Sequence, residues 1–336
     1  MDAIVAASDD ASLLHLRSAC RGFRDRVDRL LAHHVHITCL SPHPTRATER
    51  VHITSQLGRF PGFSPCVYYW DAMGRMPWPP PTPPPVLHRQ AQVLRHTRVA
   101  DIHGALPEPA AAWLGRNLGR GHIETLRLFP DARGRTLRAG LPGPVDTLVL
   151  FPVPPPVRIP LGLGALVQLQ PEHAVLAPTG VRRFVVHVRV DDGPLAFPLS
   201  FKAGRDVAEV VLGFTRVPGL KPSEAPCPST ADRAGELAAY ILGMMPFLSA
   251  NITLVGLDDV DPALSSGVLR KRIVELLDFL GLNDKFVLHP QQAPPKPKDW
   301  SWAWNSRQIQ DRVLCLSKED YADTVGPDQW AVEMEE

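Results

Sequence analysis

The residues best equipped for chemistry are the histidines of "HHVHIT", where His33, His34 and His36 stand together, and "VHIT" returns with His52. A His-x-His on a strand can supply two ligands to a metal. The segment before it is helical in pattern, so these histidines are expected at a helix end, where the C-terminal dipole favours them. No Asp, Glu or Cys set stands nearby in the sequence to complete a site, so no metal is expected. "GLDDVDP" offers Asp258, Asp259 and Asp261 after a strand-like run. Catalytic acids of α/β folds, or ligands for a hard cation, often sit there. The plainer expectation is a solvated turn, or caps for the next helix. In "DWSWAWNS", Trp300, Trp302 and Trp304 alternate. One strand face could stack ligand rings with them, or they could form a lid over the core.

The glycine signals complete no known chemistry. "LGRNLGRGHIETL" runs helix, glycines, strand. A phosphate loop has the opposite order and a lysine that is missing here. The stretch reads as a helix C-terminal turn. Gly162 and Gly164 alone are no dinucleotide fingerprint, and no G-x-S-x-G elbow occurs. No catalytic residue and no cofactor is assigned.

The element in front of the histidines is "LLHLRSACRGFRDRVDRLLAHHV", residues 13–35. As a helix it aligns Leu16, Cys20, Phe23, Val27, Leu30 and Leu31 in a stripe of 3.6-residue period. Arg17, Arg21, Arg24, Arg26 and Arg29 fill the remaining arc. The stripe wants a partner surface, in this chain or in another. A break near Cys20–Gly22 would give two helices packed at an angle, since Gly22 costs about 1 kcal/mol inside a helix. Ser8, Asp9 and Asp10 are candidate N-caps, and a short helix in "MDAIVAA" is expected before them.

From about Val99 the pattern changes. "IETLRLFP" (123–130) and "VDTLVLFP" (145–152) are an internal repeat, 22 positions apart. The same apolar spacing recurs in "VRRFVVHV" and "VAEVVLGF", and more weakly in Val99–Ile102, "ITLVGL", "FVLH" and "RVLCL". Each run is short and β-branched or leucine-rich, as a buried strand should be. Helical segments over 107–119, 229–248 and 265–282 alternate with them, so a mostly parallel sheet flanked by helices is expected. The irregular spacings suit a degenerate solenoid or an open sheet. Ser317 with Asp320 resembles a capping box that opens a terminal helix, interrupted at Gly326-Pro327.

Composition bounds the partners. With 336 residues there is ample length for a core. A net charge of +1 gives no field to draw nucleic acid or an anionic membrane. No apolar run is long enough for a membrane span, and "MDAIVAASDD" is too short and wrongly charged for a signal peptide. The five scattered cysteines form no C-x-x-C pair and point to reduced thiols in cytoplasm or nucleus. The 36 prolines cluster at 76–85, 151–160 and 290–300, and read as stiff connectors or as docking motifs for proline-binding domains.

The segment "DDASLLHLRSACRGFRDRVDRLLAHHV" resembles the second and third helices of an F-box, a leucine-rich turn leading into Leu-x-x-x-Cys-Arg-x-Phe-Arg. The matching residues are Leu13, Leu14, Leu16, Cys20, Arg21, Phe23, Arg24 and Leu30. The resemblance covers about the first 35 residues, and the family's opening Leu-Pro and acidic residue are missing. The chain as a whole looks like the divergent F-box-like proteins of fungi. The resemblance implies a non-enzymatic adaptor, a substrate receptor of a cullin-RING ubiquitin ligase. Leu13, Leu14, Leu16, Cys20, Phe23 and Leu30 would touch the ligase adaptor subunit, and a leucine-rich-repeat-like region would hold an unknown substrate protein. The expected layout is F-box-like helices at 1–38, a Pro-rich irregular connector at 39–98, an α/β repeat-like region at 99–316 and a helical tail at 317–336. Two alternatives stand beside it. One is a structural or interaction repeat protein with a vestigial F-box. The other is a small α/β hydrolase-type enzyme using Asp258, Asp259 or His36.

Overall fold

A computed structural model describes residues 10–40, 49–55, 68–70, 91–104, 106, 108–130, 144–152, 175–176, 180–190, 201–202, 207–216, 229–244, 250–282 and 312–335, with Ile4 and Ser8. It is an α/β structure with a mostly parallel sheet flanked by helices. The expected runs at "MDAIVAA" and "FVLH", Trp300, Trp302 and Trp304, and most of the Pro-rich stretches lie outside the described residues. The chain divides into two compact units.

The first unit opens with α1 (Asp10–Ala19) and α2 (Arg21–His33), broken at Cys20, whose backbone is extended. The chain then turns directly into β1 (His34–Leu40). β2 (Glu49–Ser55) pairs antiparallel with β1, and β3 (Tyr68–Trp70) pairs antiparallel with β2. Where the sequence reading expected an irregular connector over 39–98, these two strands extend the sheet instead. β-branched residues in "RVHIT" alternate with period two, a strand signal that the surrounding proline-rich text obscured.

On its other side β1 pairs parallel with β4 (Val99–His103), β4 with β5 (Ile123–Phe129), and β5 with β6 (Val145–Leu150). Helix α3 (Glu108–Asn117) and a 3-10 turn over Leu118–Gly121 cross from β4 to β5. Gly119 ends that crossover with φ +55, and a Cβ there would stand 3.0 Å from the Thr97 carbonyl oxygen. Only glycine takes that conformation without strain. Two further short strands, β7 (Val175–Leu176) and β9 (Phe201–Lys202), pair with each other.

Residues one apart in a strand face opposite sides. Val35, Ile37, Ala100, Ile102, Leu126, Leu128, Leu148 and Leu150 therefore share one fully apolar, buried face. The opposite face holds His34, His36, Asp101, His103, Arg127 and Phe129. The internal repeat of the sequence becomes a ladder. Ile123 stands beside Val145, Thr125 beside Thr147, and Leu128 beside Leu150. Similar residues thus stand side by side across the two parallel strands.

The second unit takes the end of β8 (Arg183–Val190), then β10 (Glu209–Arg216), β11 (Asn251–Val255) and β12 (Val313–Leu316) in that spatial order. β10–β11 and β11–β12 are parallel. Helices α4 (Thr230–Met244) and α5 (Ser266–Leu282) pack together in the crossovers. The tail forms α6 (Lys318–Val325) and α7 (Pro327–Met334), with the expected interruption at Gly326-Pro327. Ser317 caps α6 by accepting from the Asp320 amide at 3.0 Å. Ser317→Ala is expected to lower stability by about 1 kcal/mol, read from hydrogen exchange of the first-turn amides of α6.

Candidate functional site

Two places in the first unit gather the candidate residues. The first is the α1–α2 pair. Val27, Leu31 and Ala32 of α2 and Leu13 of α1 are buried. The Arg17 guanidinium pairs with the Asp28 carboxylate and ties α1 to α2. Of the residues expected to touch an adaptor subunit, Leu13 is buried within the chain, Leu16 and Phe23 are half-buried, and Cys20 is exposed. Leu30 is 40% exposed, and the side chain of Leu14 lies outside the described residues. The stripe of Leu16, Cys20, Phe23, Val27, Leu30 and Leu31 is thus corrected. The extended backbone at Cys20 resets the helical phase, so residues before and after it do not continue one face. Beside α2 lies a cleft of about 550 Å³, lined by Arg21, Arg24, Asp25, Arg29, Arg95 and His96 among others.

The second place is the polar face of the sheet. His34 and His36 belong to β1 rather than to the end of the arginine helix, which stops at His33. The strand begins there because "HVHITCL" alternates with period two and is rich in β-branched residues. Parallel register sets His36 beside Asp101 of β4, and Asp101 beside Arg127 of β5. Asp101 is 2% exposed and Arg127 5%. His34 Nε2 donates to Asp101 Oδ1 at 2.9 Å, and His36 Nδ1 lies 3.1 Å from Oδ2. The Arg127 guanidinium stands 3.5 Å from Oδ2. One buried carboxylate thus serves two imidazoles and a guanidinium.

The next row of the same face is aromatic. His103 stacks on Phe129 with centroids 4.3 Å apart, and Phe129 on Phe151 at 4.2 Å and 5°. Arg127 lies over both phenyl rings, at 5.2 and 5.0 Å. A guanidinium over aromatic faces gains a cation–π attraction that strengthens as water is excluded. The phenylalanines are the repeated "FP" positions of the sequence, so their stack was written in the repeat.

The electrostatics follow from this packing. Burial opposes the charge of Asp101, but hydrogen bonds from His34 and His36 and the Arg127 charge outweigh it and hold the carboxyl well below the usual carboxylate range. A general base works best with a pKa near the operating pH, so Asp101 is suited to holding positive groups in place. Burial pushes the His103 imidazolium down, with Asp101 opposing. The ligand atoms of His34, His36 and Asp101 all lie within 4.8 Å of one another. The expectation that no acid completes a set around these histidines is thereby corrected. Asp101 is 67 positions from His34 in the chain, and only strand pairing brings it close.

Asp258, Asp259 and Asp261 lie in the second unit, after β11, in and just beyond a 3-10 turn that starts at left-handed Gly256. Asp259 pairs with Lys318 at 2.5 Å. Asp261 accepts from Thr230 Oγ1 at 2.6 Å and from the Ala263 amide at 2.9 Å. These contacts hold its carboxyl below the ordinary range. The acids tie a turn to α4 and to the tail. Comparison of this chain with protein-family profiles, with curated proteins and with solved structures finds no match.

Proposed function

We propose that this chain is an adaptor that binds proteins rather than transforming a substrate. In this reading the α1–α2 pair is an F-box-like docking element for the small adaptor subunit of a cullin-RING ubiquitin ligase. The α/β region is a degenerate leucine-rich-repeat-like array that holds a target protein, in cytoplasm or nucleus.

The observation that carries the reading is the strand order within each unit. β1, β4, β5 and β6 add one after another to the same edge, and so do β10, β11 and β12. Stacked repeat units grow this way, each covering its neighbour's apolar face. Open α/β enzymes typically bind small ligands where the strand order reverses. From β4 to β6 and from β10 to β12 the order does not reverse, and the change of direction at β1 comes from the antiparallel strands β2 and β3 on its other side. The exposure of Leu30, on a helix whose other side is buried, supports an outside partner for α2. Among the described residues no helix is long and apolar enough to cross a membrane.

The test is co-purification of the full chain with the host ligase adaptor subunit, beside Leu30→Asp and Phe23→Ala. Both positions are at least partly exposed, so the variants should remain folded. Binding that Leu30→Asp lowers at least tenfold supports the adaptor reading. Absence of binding by the wild-type chain removes the ligase role and leaves a repeat protein with a vestigial F-box.

A further inference from the structure

We propose that His34, His36 and Asp101 form a three-ligand site for a divalent first-row transition metal of the zinc type, with a fourth position open to solvent beside His36. The inference is independent of the adaptor reading.

Three observations carry it. The first is placement. His34 and His36 are two residues apart on β1, so both imidazoles leave the same face of the sheet, and register sets the Asp101 carboxylate beside them. The donor atoms therefore come from two adjacent parallel strands, a rigid support for a metal site.

The second is spacing. Ligands at zinc bond lengths of about 2.0–2.1 Å in a tetrahedron stand roughly 3.3 Å from one another. The two nitrogen–carboxylate distances are 2.9 and 3.1 Å, and all the donor atoms fall within 4.8 Å. Small side-chain rotations bring all three to bonding distance. Each imidazole now directs an N–H at Asp101. Metal binding transfers that proton to the other ring nitrogen or to solvent, as loading a histidine site requires.

The third is access and chemistry. His36 is 32% exposed, while Asp101 is nearly sealed. Two imidazoles and one carboxylate suit zinc, cobalt or nickel, and are a poor set for magnesium or calcium, which prefer oxygen ligands. Arg127 supports Asp101 from outside the ligand set, 3.5 Å from Oδ2. It also adds a positive charge, so the metal, carboxylate and guanidinium together carry two net positive charges. The open position is therefore matched to an anionic fourth ligand, such as hydroxide or the carboxylate or phosphate of a bound molecule.

The experiment uses the full chain, freed of metal by dialysis against a chelator, and titrates Co²⁺ while recording visible absorption. One equivalent is expected to give d–d bands of a low-coordinate site, and Zn²⁺ should abolish them by displacement. His36→Gln, at a partly exposed position, is expected to raise the Kd for Co²⁺ by at least about 100-fold, beyond the usual effect of losing an outer-shell partner. His34→Gln should act likewise. His122→Gln is the control, because His122 also pairs with a carboxylate, Asp146 at 3.1 Å, but lies on the surface away from the cluster. It should leave the spectrum and affinity unchanged. Absence of stoichiometric bands in the wild-type chain overturns the proposal. So does equal Co²⁺ affinity in the wild type and His36→Gln.

Discussion

Asp101→Ala is expected to destabilise the first unit by about 3–5 kcal/mol, the scale for removing one partner of a buried ion pair. The carboxylate is 2% exposed and sits among His34, His36 and Arg127. Taking it away withdraws the negative charge around which these three side chains are arranged, and the desolvated guanidinium of Arg127 remains. Hydrogen exchange at the amides of β4 and β5 reads the loss locally, since opening free energies differ between regions of a chain. The double variant Asp101→Leu with Arg127→Met is expected to recover much of the loss, because a buried ion pair can often be replaced by apolar residues of similar volume. A loss below about 1 kcal/mol in the single variant would show that the cluster tolerates an unbalanced charge, contrary to the penalty expected for a buried ion.

Tyr321→Ala is the counterpart in the second unit, with an expected loss of about 3–5 kcal/mol, the range for truncating a large buried aromatic. Tyr321 is 1% exposed and Glu333 0%. The Tyr321 hydroxyl donates to Glu333 Oε2 at 2.5 Å, and Gln329 Nε2 donates to Oε1 at 2.5 Å. The Tyr321 ring meets Trp330 edge-on at 6.0 Å. The backbone of α7 is held too, because His187 Nε2 donates to the Glu333 carbonyl at 2.6 Å. Beside it, Met334 lies so close to Gly213 that a Cβ there would stand 2.7 Å from Met334 Cε. The tail thus packs against β8 and β10. Truncating Tyr321 opens a cavity and takes one donor from a buried carboxylate. Tyr321→Phe keeps the ring and loses only the hydroxyl, so about 1–3 kcal/mol is expected from it. Denaturant unfolding of the three proteins, with exchange measured on β10 and α7, separates the two contributions. Equal stability of Tyr321→Ala and Tyr321→Phe would mean that the ring contributes no packing.

Much of the fold was legible because it is local. The runs at Val99, Ile123, Val145, Ile252 and Arg312 became β4, β5, β6, β11 and β12, and the helices expected over 107–119, 229–248 and 265–282 appear as α3 (Glu108–Asn117), α4 (Thr230–Met244) and α5 (Ser266–Leu282). The break at Cys20 and the cap at Ser317 were also readable, from a glycine in a helical run and a Ser-x-x-Asp spacing. The helix C-terminal turn around Gly119 was readable for the same reason. The candidate cluster was not legible. The sequence pattern places His34 and His36 at a helix end, because a helix boundary is weakly encoded and β1 begins directly after α2 with no turn residue between them.

The sequence alone determined where the short buried strands fall and that β5 and β6 repeat one another. Short β-branched or leucine-rich runs, and a 22-residue repeat that becomes parallel register, set both, together with the Phe129–Phe151 stack that the repeat brings about. Only the tertiary structure decided what stands beside what on the polar face of the sheet. His36, Asp101 and Arg127 lie 65 and 26 positions apart along the chain and meet because β1, β4 and β5 are neighbours in parallel register. Local propensity is a property of a few consecutive residues. Strand adjacency is a property of the path taken by the crossovers, and the buried charge cluster exists only once that path has closed.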